Sequence, residues 1–277
     1  MFFVTGASGN AGSAVVRALL DAGQEVRALV REGREAELPA GVEPVVGDLD
    51  RPGSFAGALR GVDGVFLLSG YEGMDELLAA LDGARVVLLS SSSVPGGDME
   101  NAVARYHILS ERAVRESGLP WTFLQPNSFM TNTFRWLPQL RRGDTVTLPF
   151  ADVAISTIDP ADIASVAARA LTSGDLDGRS LRLSGPRALL PAEQVAIVGA
   201  ALGREIEFVA QSNADARAEM SAAMPVAYVD AFFSFYVDGT VDETTVQPTV
   251  REVLGREPRS FEQWVDANAG ALHAAVA

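Results

Sequence analysis

The sequence predicts an α/β fold: a doubly wound parallel sheet followed by a smaller C-terminal α/β lobe. Two observations carry this. Short apolar runs alternate with helical patterns along the first part of the 277-residue chain, which is the pattern of a parallel sheet covered by helices. The first apolar run, Phe2-Phe3-Val4, ends in Gly6, Gly9 and Gly12, spaced G-x-x-G-x-x-G, and a helical pattern starts at once. Glycines between a strand and a helix serve a sharp turn, a close backbone approach to a pyrophosphate, and tight packing of the helix. The strand before and helix after give the triplet the context of a dinucleotide-binding turn.

The first helix spans about Asn10 to Ala22, with Ala14, Val15, Ala18 and Leu19 on one face and Gly23 as its stop. The second strand, Val26 to Val30, ends at Arg31, 19 residues past Gly12, and no Asp stands at that strand end. An acidic residue there accepts from the ribose 2′-hydroxyl of NAD, whereas an Arg accommodates a 2′-phosphate. NADP(H) is therefore expected before NAD(H).

A third strand near Val42 to Val46 leads into Gly47-Asp48-Leu49. A helix is expected from Ser54 to Leu59, with Ser54 as its N-cap. Val65 to Leu68 and Val86 to Leu89 read as central strands, apolar on both faces. They end at Ser69-Gly70 and at the serines Ser90 to Ser93. Between them only Met74 to Leu81 can form a helix, a short crossover for parallel strands. Glu100 to Glu116 is helical. Trp121 to Leu124 is the sixth strand, ending at Gln125-Pro126-Asn127.

Beyond it the order changes. Asp159-Pro160-Ala161-Asp162 opens a helix to Leu171, with both aspartates expected as capping groups. Short strands at Ser180 to Leu183 and Glu205 to Val209 flank a helix that starts at Pro191. The end of the chain reads as helices, including the aromatic segment from Tyr228 to Tyr236. The expected division is a Rossmann dinucleotide-binding domain over 1–150. Residues 151–277 would form mainly a C-terminal substrate lobe, with some segments returning to the Rossmann core.

Composition narrows the chemistry. A formal charge of -14 argues against nucleic acid or an anionic membrane surface as partner. No apolar run reaches the ~20 residues of a membrane span. With the first strand starting at Phe2, a cytoplasmic protein without a signal segment is expected. Cys is absent and His107 and His273 are the two histidines, so thiolate catalysis and a Cys- or His-based metal site are excluded. All 22 basic side chains are Arg, which excludes a catalytic lysine.

Several stretches together resemble a known family. They are Thr5 to Gly12, Ala28-Leu29-Val30-Arg31, Gly47-Asp48-Leu49, Ser117 to Thr122, Pro126 to Asn132, Asp159 to Ala164 and Leu202-Gly203-Arg204. They are similar to the atypical short-chain dehydrogenases, NmrA-like branch, which includes quinone reductases and redox-sensing regulators. The resemblance implies that Gly6, Ser8, Asn10 and Ala11 meet the pyrophosphate and Arg31 the 2′-phosphate. It further implies that Asp48 and Leu49 flank the adenine, while Leu68, Ser69, Gly70 and Ser90 approach the ribose and nicotinamide. Pro126, Asn127 and Phe129 would lie near the nicotinamide, with the C-terminal lobe enclosing the substrate.

One departure is sharp. Short-chain dehydrogenases carry a Tyr-x-x-x-Lys pair on the helix after the fifth strand, and here Val103 and His107 stand at those places. His107 is either a ribose-binding or proton-donating group, oriented by Glu111 one turn on, or a packing histidine. Tyr106, about 100° around the helix, should face elsewhere. Ser90 either polarises a substrate carbonyl or belongs to ordinary turn chemistry. Tyr228, Phe232 and Tyr236, at helical spacing, form either a core stripe or the wall of a flat aromatic pocket.

The expected function is an NADPH-dependent oxidoreductase passing hydride to a quinone, enone or similar electron-poor carbonyl, aromatic or quinone-like, without the Tyr–Lys pair. The alternative is a non-catalytic NADP(H)-binding sensor, and a third reading is an isomerase using bound nucleotide transiently. The short crossover points to a monomer, a dimer being the other possibility.

Overall fold

The computed structural model describes residues 1–276. The strands are β1 (Phe2–Val4), β2 (Val26–Val30), β3 (Val42–Val46), β4 (Gly64–Leu68), β5 (Arg85–Leu89), β6 (Trp121–Pro126), β7 (Thr145–Leu148), β8 (Arg179–Leu183) and β9 (Glu207–Ala210). Seven of them form one sheet in the order β3-β2-β1-β4-β5-β6-β8, and every pairing in it is parallel. From β1 the chain winds outward to β3, then returns to β4 and winds the other way. The direction therefore reverses between β1 and β4, and the crevice of such a sheet opens above their carboxyl ends.

The helices are α1 (Asn10–Asp21), α2 (Met74–Ala79), α3 (Ala102–Glu116), α4 (Leu137–Leu140), α5 (Pro160–Thr172), α6 (Pro191–Leu202), α7 (Asn213–Ala223), α8 (Val226–Tyr236), α9 (Thr249–Leu254) and α10 (Phe261–Val276). Side chains alternate across each strand, so the sheet has two apolar faces. Val4, Val87 and Leu124 pack with Val15 and Leu19 of α1 and Val166 of α5. Phe3, Leu88 and Phe123 pack on the other side with Leu77 of α2 and Val114 of α3. Burying a side chain such as Phe123, fully enclosed, contributes about 2–3 kcal/mol. The β3 edge is blunted: Pro44 removes a donor and Glu43 is held by Arg27 at 2.9 Å.

Past position 150 the chain divides its allegiance. The helix α5 packs against α1, and β8 adds to the sheet beside β6. The remainder builds a second layer around the parallel pair β7–β9, whose core holds Trp136, Leu140, Val146, Val198, Trp264 and Val265. The strand β7 lies in a stretch given no element from sequence. The C-terminal strand pairing with it begins at Glu207, two residues later than expected.

Two local expectations need correction. The stretch from Ser54 to Leu59 is not a helix capped by Ser54. It forms two 3₁₀ turns, Pro52–Ser54 and Ala56–Leu59, because Gly53 and Gly57 disfavour α-helix. Ser54 Oγ instead donates to the Arg51 carbonyl at 2.7 Å. Asp159 does cap α5 through the Ala161 N–H at 2.8 Å, but Asp162 is a fully buried anchor. It accepts from Arg256 Nη1 at 2.6 Å and from the Arg259 N–H at 2.7 Å, tying the C-terminal segment to the sheet layer. No described helix is long and apolar enough to cross a membrane.

Candidate functional site

The loop after β1 is shaped by contacts that only glycine permits. Thr5 Oγ1 donates to the Phe66 carbonyl at 3.0 Å and accepts from the Leu68 N–H at 3.2 Å, which locks β1 to β4 at the mouth of the crevice. Gly6 turns with φ +62°, and a Cβ on it would lie 2.5 Å from Leu68 Cδ1. The Gly9 N–H closes the turn on the Gly6 carbonyl at 2.8 Å. Gly9 is also the N-cap of α1, with no side chain satisfying the first N–H groups of that helix. Such a terminus, with its positive end exposed, is a ready anion site.

Two cavities meet at Leu68. The smaller, about 310 Å³, is lined by Gly6, Ser8, Gly9, Arg31, Asp48, Leu49 and Leu68. Arg31 forms no ion pair among the described residues, whereas Arg34 is tied to Glu37 at 2.6 Å. Asp48 accepts from the Asp50 N–H at 3.2 Å and from Arg51 at 3.1 Å. Those bonds hold its carboxyl below the ordinary carboxylate range.

The larger cavity, about 460 Å³, gathers Asn10, Leu68, Ser69, Ser90, His107, Pro126, Asn127 and Phe129 from the sheet side. Of the other sequence-designated residues, Ala11 and Gly12 are buried in the first turn of α1 and line neither cavity. Gly70 turns away, its N–H donating to Ser110 Oγ at 3.0 Å, and lines a separate pocket beside Tyr71.

The sheet-side groups of the larger cavity are weak acids. Ser90 Oγ donates its proton to Glu111 Oε1 at 2.6 Å. Glu111 is fully buried and also accepts from Gln125 Nε2 at 2.8 Å and Arg115 at 3.0 Å. Glu111 therefore orients Ser90 and Gln125, not His107 as the helical spacing suggested. Burial pushes the His107 imidazole down to about 4, so it is neutral at pH 7 and no imidazolium donor. Its Nδ1 is buried with no hydrogen-bond partner. Tyr106 lines the same cavity, its ring centroid 4.1 Å from that of His107, contrary to the expectation that they diverge. The bare Cα of Gly70 makes the room: a Cβ there would sit 3.1 Å from Tyr106 Cδ2.

The lowered His107 value carries a stability prediction. Between pH 6.5 and about 4 the unfolded chain binds a proton at this residue and the folded chain does not, so stability falls as pH falls through that window. Wild type should lose about 2–3 kcal/mol more than His107→Gln between pH 7 and 4 in urea titrations. Parallel pH profiles for the two proteins would contradict this.

The C-terminal lobe contributes the opposite wall. Phe232, Phe235 and Tyr236 of α8 line it, Phe232 and Tyr236 with parallel rings 6.5 Å apart, while Tyr228 is exposed. Phe150, with φ +57°, sets its ring 5.1 Å from that of Tyr236.

Sequence reasoning missed Glu243, in the loop after α8. It is buried and accepts from Ser92 Oγ at 2.8 Å, the Ser128 N–H and Oγ, both at 2.9 Å, and Tyr236 Oη at 3.1 Å. Burial, then Glu243, push the Tyr236 phenol well above its usual range. Arg135 was missed as well, since nothing distinguishes it in the sequence from other surface arginines.

Comparison with known proteins fits this geometry. Residues 6–174 match the model of a family described as NAD(P)H-binding. The chain is 38% identical over 98% of its length to the (4-alkanoyl-5-oxo-2,5-dihydrofuran-3-yl)methyl phosphate reductase of Streptomyces griseus, covering 99% of that protein. It is 34% identical over 99% of its length to the NAD(P)H azoreductase of Xenophilus azovorans, covering 100% of it. Among solved structures, the NADPH complex of an Escherichia coli NADPH-dependent quinone oxidoreductase superposes with a TM-score of 0.79 at 21% identity. That likeness covers 96% of this chain and 99% of the other, and speaks to the fold. Glycine turn, strand order and relatives agree: the chain belongs to the NAD(P)H-binding family and is similar over nearly its whole length to reductases.

Proposed function

We propose that the protein is an NADPH-dependent reductase of electron-poor conjugated carbonyl compounds, enones and quinones. The observation that carries this reading is the acid–base character of the larger cavity. His107 is neutral, the Tyr236 phenol is a weaker acid than usual, and the Ser90 proton is committed to Glu111. Such a site holds no group that readily gives up a proton, which favours acceptors that depend less than a plain ketone on protonation of a developing alkoxide. It can serve an acceptor that delocalises the incoming electron pair as an enolate or hydroquinone anion, with water supplying the proton afterwards. The names of two relatives fit electron-poor unsaturated acceptors: an azo group, and a dihydrofuranylmethyl phosphate bearing oxo and alkanoyl groups.

The residues fit a nicotinamide dinucleotide. The uncapped N-terminus of α1 and the glycine turn suit the pyrophosphate, and Arg31 suits a 2′-phosphate. The unpartnered Nδ1 of His107, where the family's lysine would stand, suits a ribose hydroxyl. Bound there, the cofactor supplies a hydride. The chain's own part is to hold a flat acceptor between Phe129 and the Phe232–Tyr236 wall and to exclude bulk water.

The first test is calorimetric titration with NADPH and NADH. Arg31→Ala should weaken NADPH about 10- to 50-fold, the loss of charge-assisted bonds to a phosphate, and leave NADH within about twofold. Equal effects on both would remove Arg31 from the 2′-phosphate. Tight NADPH binding with no turnover of any enone or quinone would favour the sensor reading instead.

A further inference from the structure

The larger cavity has an uneven charge distribution that the proposed hydride transfer does not use. Its lining contains one carboxylate, Glu243, and one guanidinium, Arg135. Glu243 is already balanced by four donors at 2.8–3.1 Å. Arg135 has no such partner: among the described residues it forms no ion pair. Arg135 is exposed and stands at the cavity's rim, where its guanidinium is open to an incoming molecule.

The element that carries Arg135 gives it a companion. Residues Met130–Trp136 form a 3₁₀ helix, in which side chains three apart eclipse each other. Asn132 and Arg135 are so related, and both line the cavity. The carboxamide N–H₂ and the guanidinium thus stand one above the other along one wall, five donor N–H groups of Arg beside two of Asn. Neither side chain donates to another group of the described chain. Arg135 stands six residues beyond Phe129, on the element that follows it. Its positive field also reaches the Tyr236 phenol.

We propose that Asn132 and Arg135 form an oxyanion subsite that binds a phosphate monoester or carboxylate carried by the substrate, so that the preferred acceptors are anionic. This rests on the larger cavity being the substrate site. A guanidinium matches either group with paired N–H···O bonds, and the neighbouring aromatic wall leaves the conjugated part of the same molecule facing the sheet. The surface charge of the whole protein repels anions, so this local cation would be what lets a negatively charged substrate be preferred.

The test separates this subsite from the reductase reading by measuring binding without turnover. Protein saturated with NADPH, which fills the pyrophosphate site, is titrated calorimetrically with phenyl phosphate, benzoate and phenol. Phenyl phosphate, benzoate or both should bind at least tenfold more tightly than phenol, and whichever is tighter identifies the preferred oxyanion. Arg135→Ala should remove that preference, Asn132→Ala should reduce it several-fold, and Arg135→Lys should restore part of it. An NADPH affinity within twofold of wild type shows that each variant is folded. Equal binding of all three probes by wild type would overturn the proposal. So would an Arg135→Ala variant that weakens phenol as much as phenyl phosphate. Failure of every enone and quinone to be reduced would sink the proposed function while leaving these titrations to decide the subsite.

Discussion

Replacing Gly12 by alanine should abolish measurable cofactor binding and destabilise the fold by about 1–3 kcal/mol. A Cβ at this position would lie 2.6 Å from the Gly6 carbonyl carbon and 2.9 Å from the Thr5 carbonyl oxygen, and would collide with the Gly6 carbonyl oxygen itself. All of these are backbone atoms of β1 and its turn, so no side-chain rotation relieves the clash. The N-terminus of α1 must move away, and with it the N–H groups aimed at the pyrophosphate. Helix propensity works in the opposite direction, favouring alanine by ~1 kcal/mol, and the overpacking outweighs it. Gly143→Ala is the control, since nothing lies within 4 Å of a Cβ there, and it should change stability by less than about 0.5 kcal/mol. Urea unfolding and NADPH titration check both variants. A stable Gly12→Ala protein with unchanged affinity would show that the close approach is dispensable.

Glu243→Ala should cost about 3–4 kcal/mol and raise the KM for an acceptor at least tenfold, with NADPH affinity retained. The substitution leaves Ser92 Oγ, the Ser128 N–H and the Tyr236 hydroxyl to find other partners in a buried place. Each orphaned donor costs about 1–3 kcal/mol, and the Ser128–Tyr236 contact at 3.0 Å recovers part of that. The loop itself stays anchored, because the Glu243 carbonyl still accepts from the Ser156 N–H at 2.8 Å and Asn127 Nδ2 at 3.1 Å. The damage is thus expected at the cavity wall rather than throughout the lobe. Glu243→Gln, which keeps the shape and one acceptor, should fall about midway. A Glu243→Ala protein within 0.5 kcal/mol of wild type and with unchanged KM would contradict the role of this network in shaping the cavity.

The central sheet was legible because its strands are buried on both faces, so each appears as an uninterrupted apolar run such as Val86 to Leu89. The glycine turn was legible for a different reason: its spacing encodes contacts within a dozen residues of chain. The long-range features were not. Nothing local tells Arg179–Leu183 that it will pair beside Trp121–Pro126 rather than with the strands of the C-terminal lobe. Glu243 meets Ser92 and Ser128 across 151 and 115 residues, from a polar stretch that reads simply as loop. His107 could be placed on the right helix from sequence, but its neutrality depends on burial, which helical spacing does not reveal.

The measurement that tests hydride delivery most directly is a single turnover of the protein loaded with NADPH dideuterated at nicotinamide C4, with a cyclic enone as acceptor. The account predicts one deuterium per turnover at the carbon β to the carbonyl, with the α proton drawn from water. A product without deuterium, or a bound cofactor that reacts no faster than free NADPH with enones and quinones alike, would contradict it.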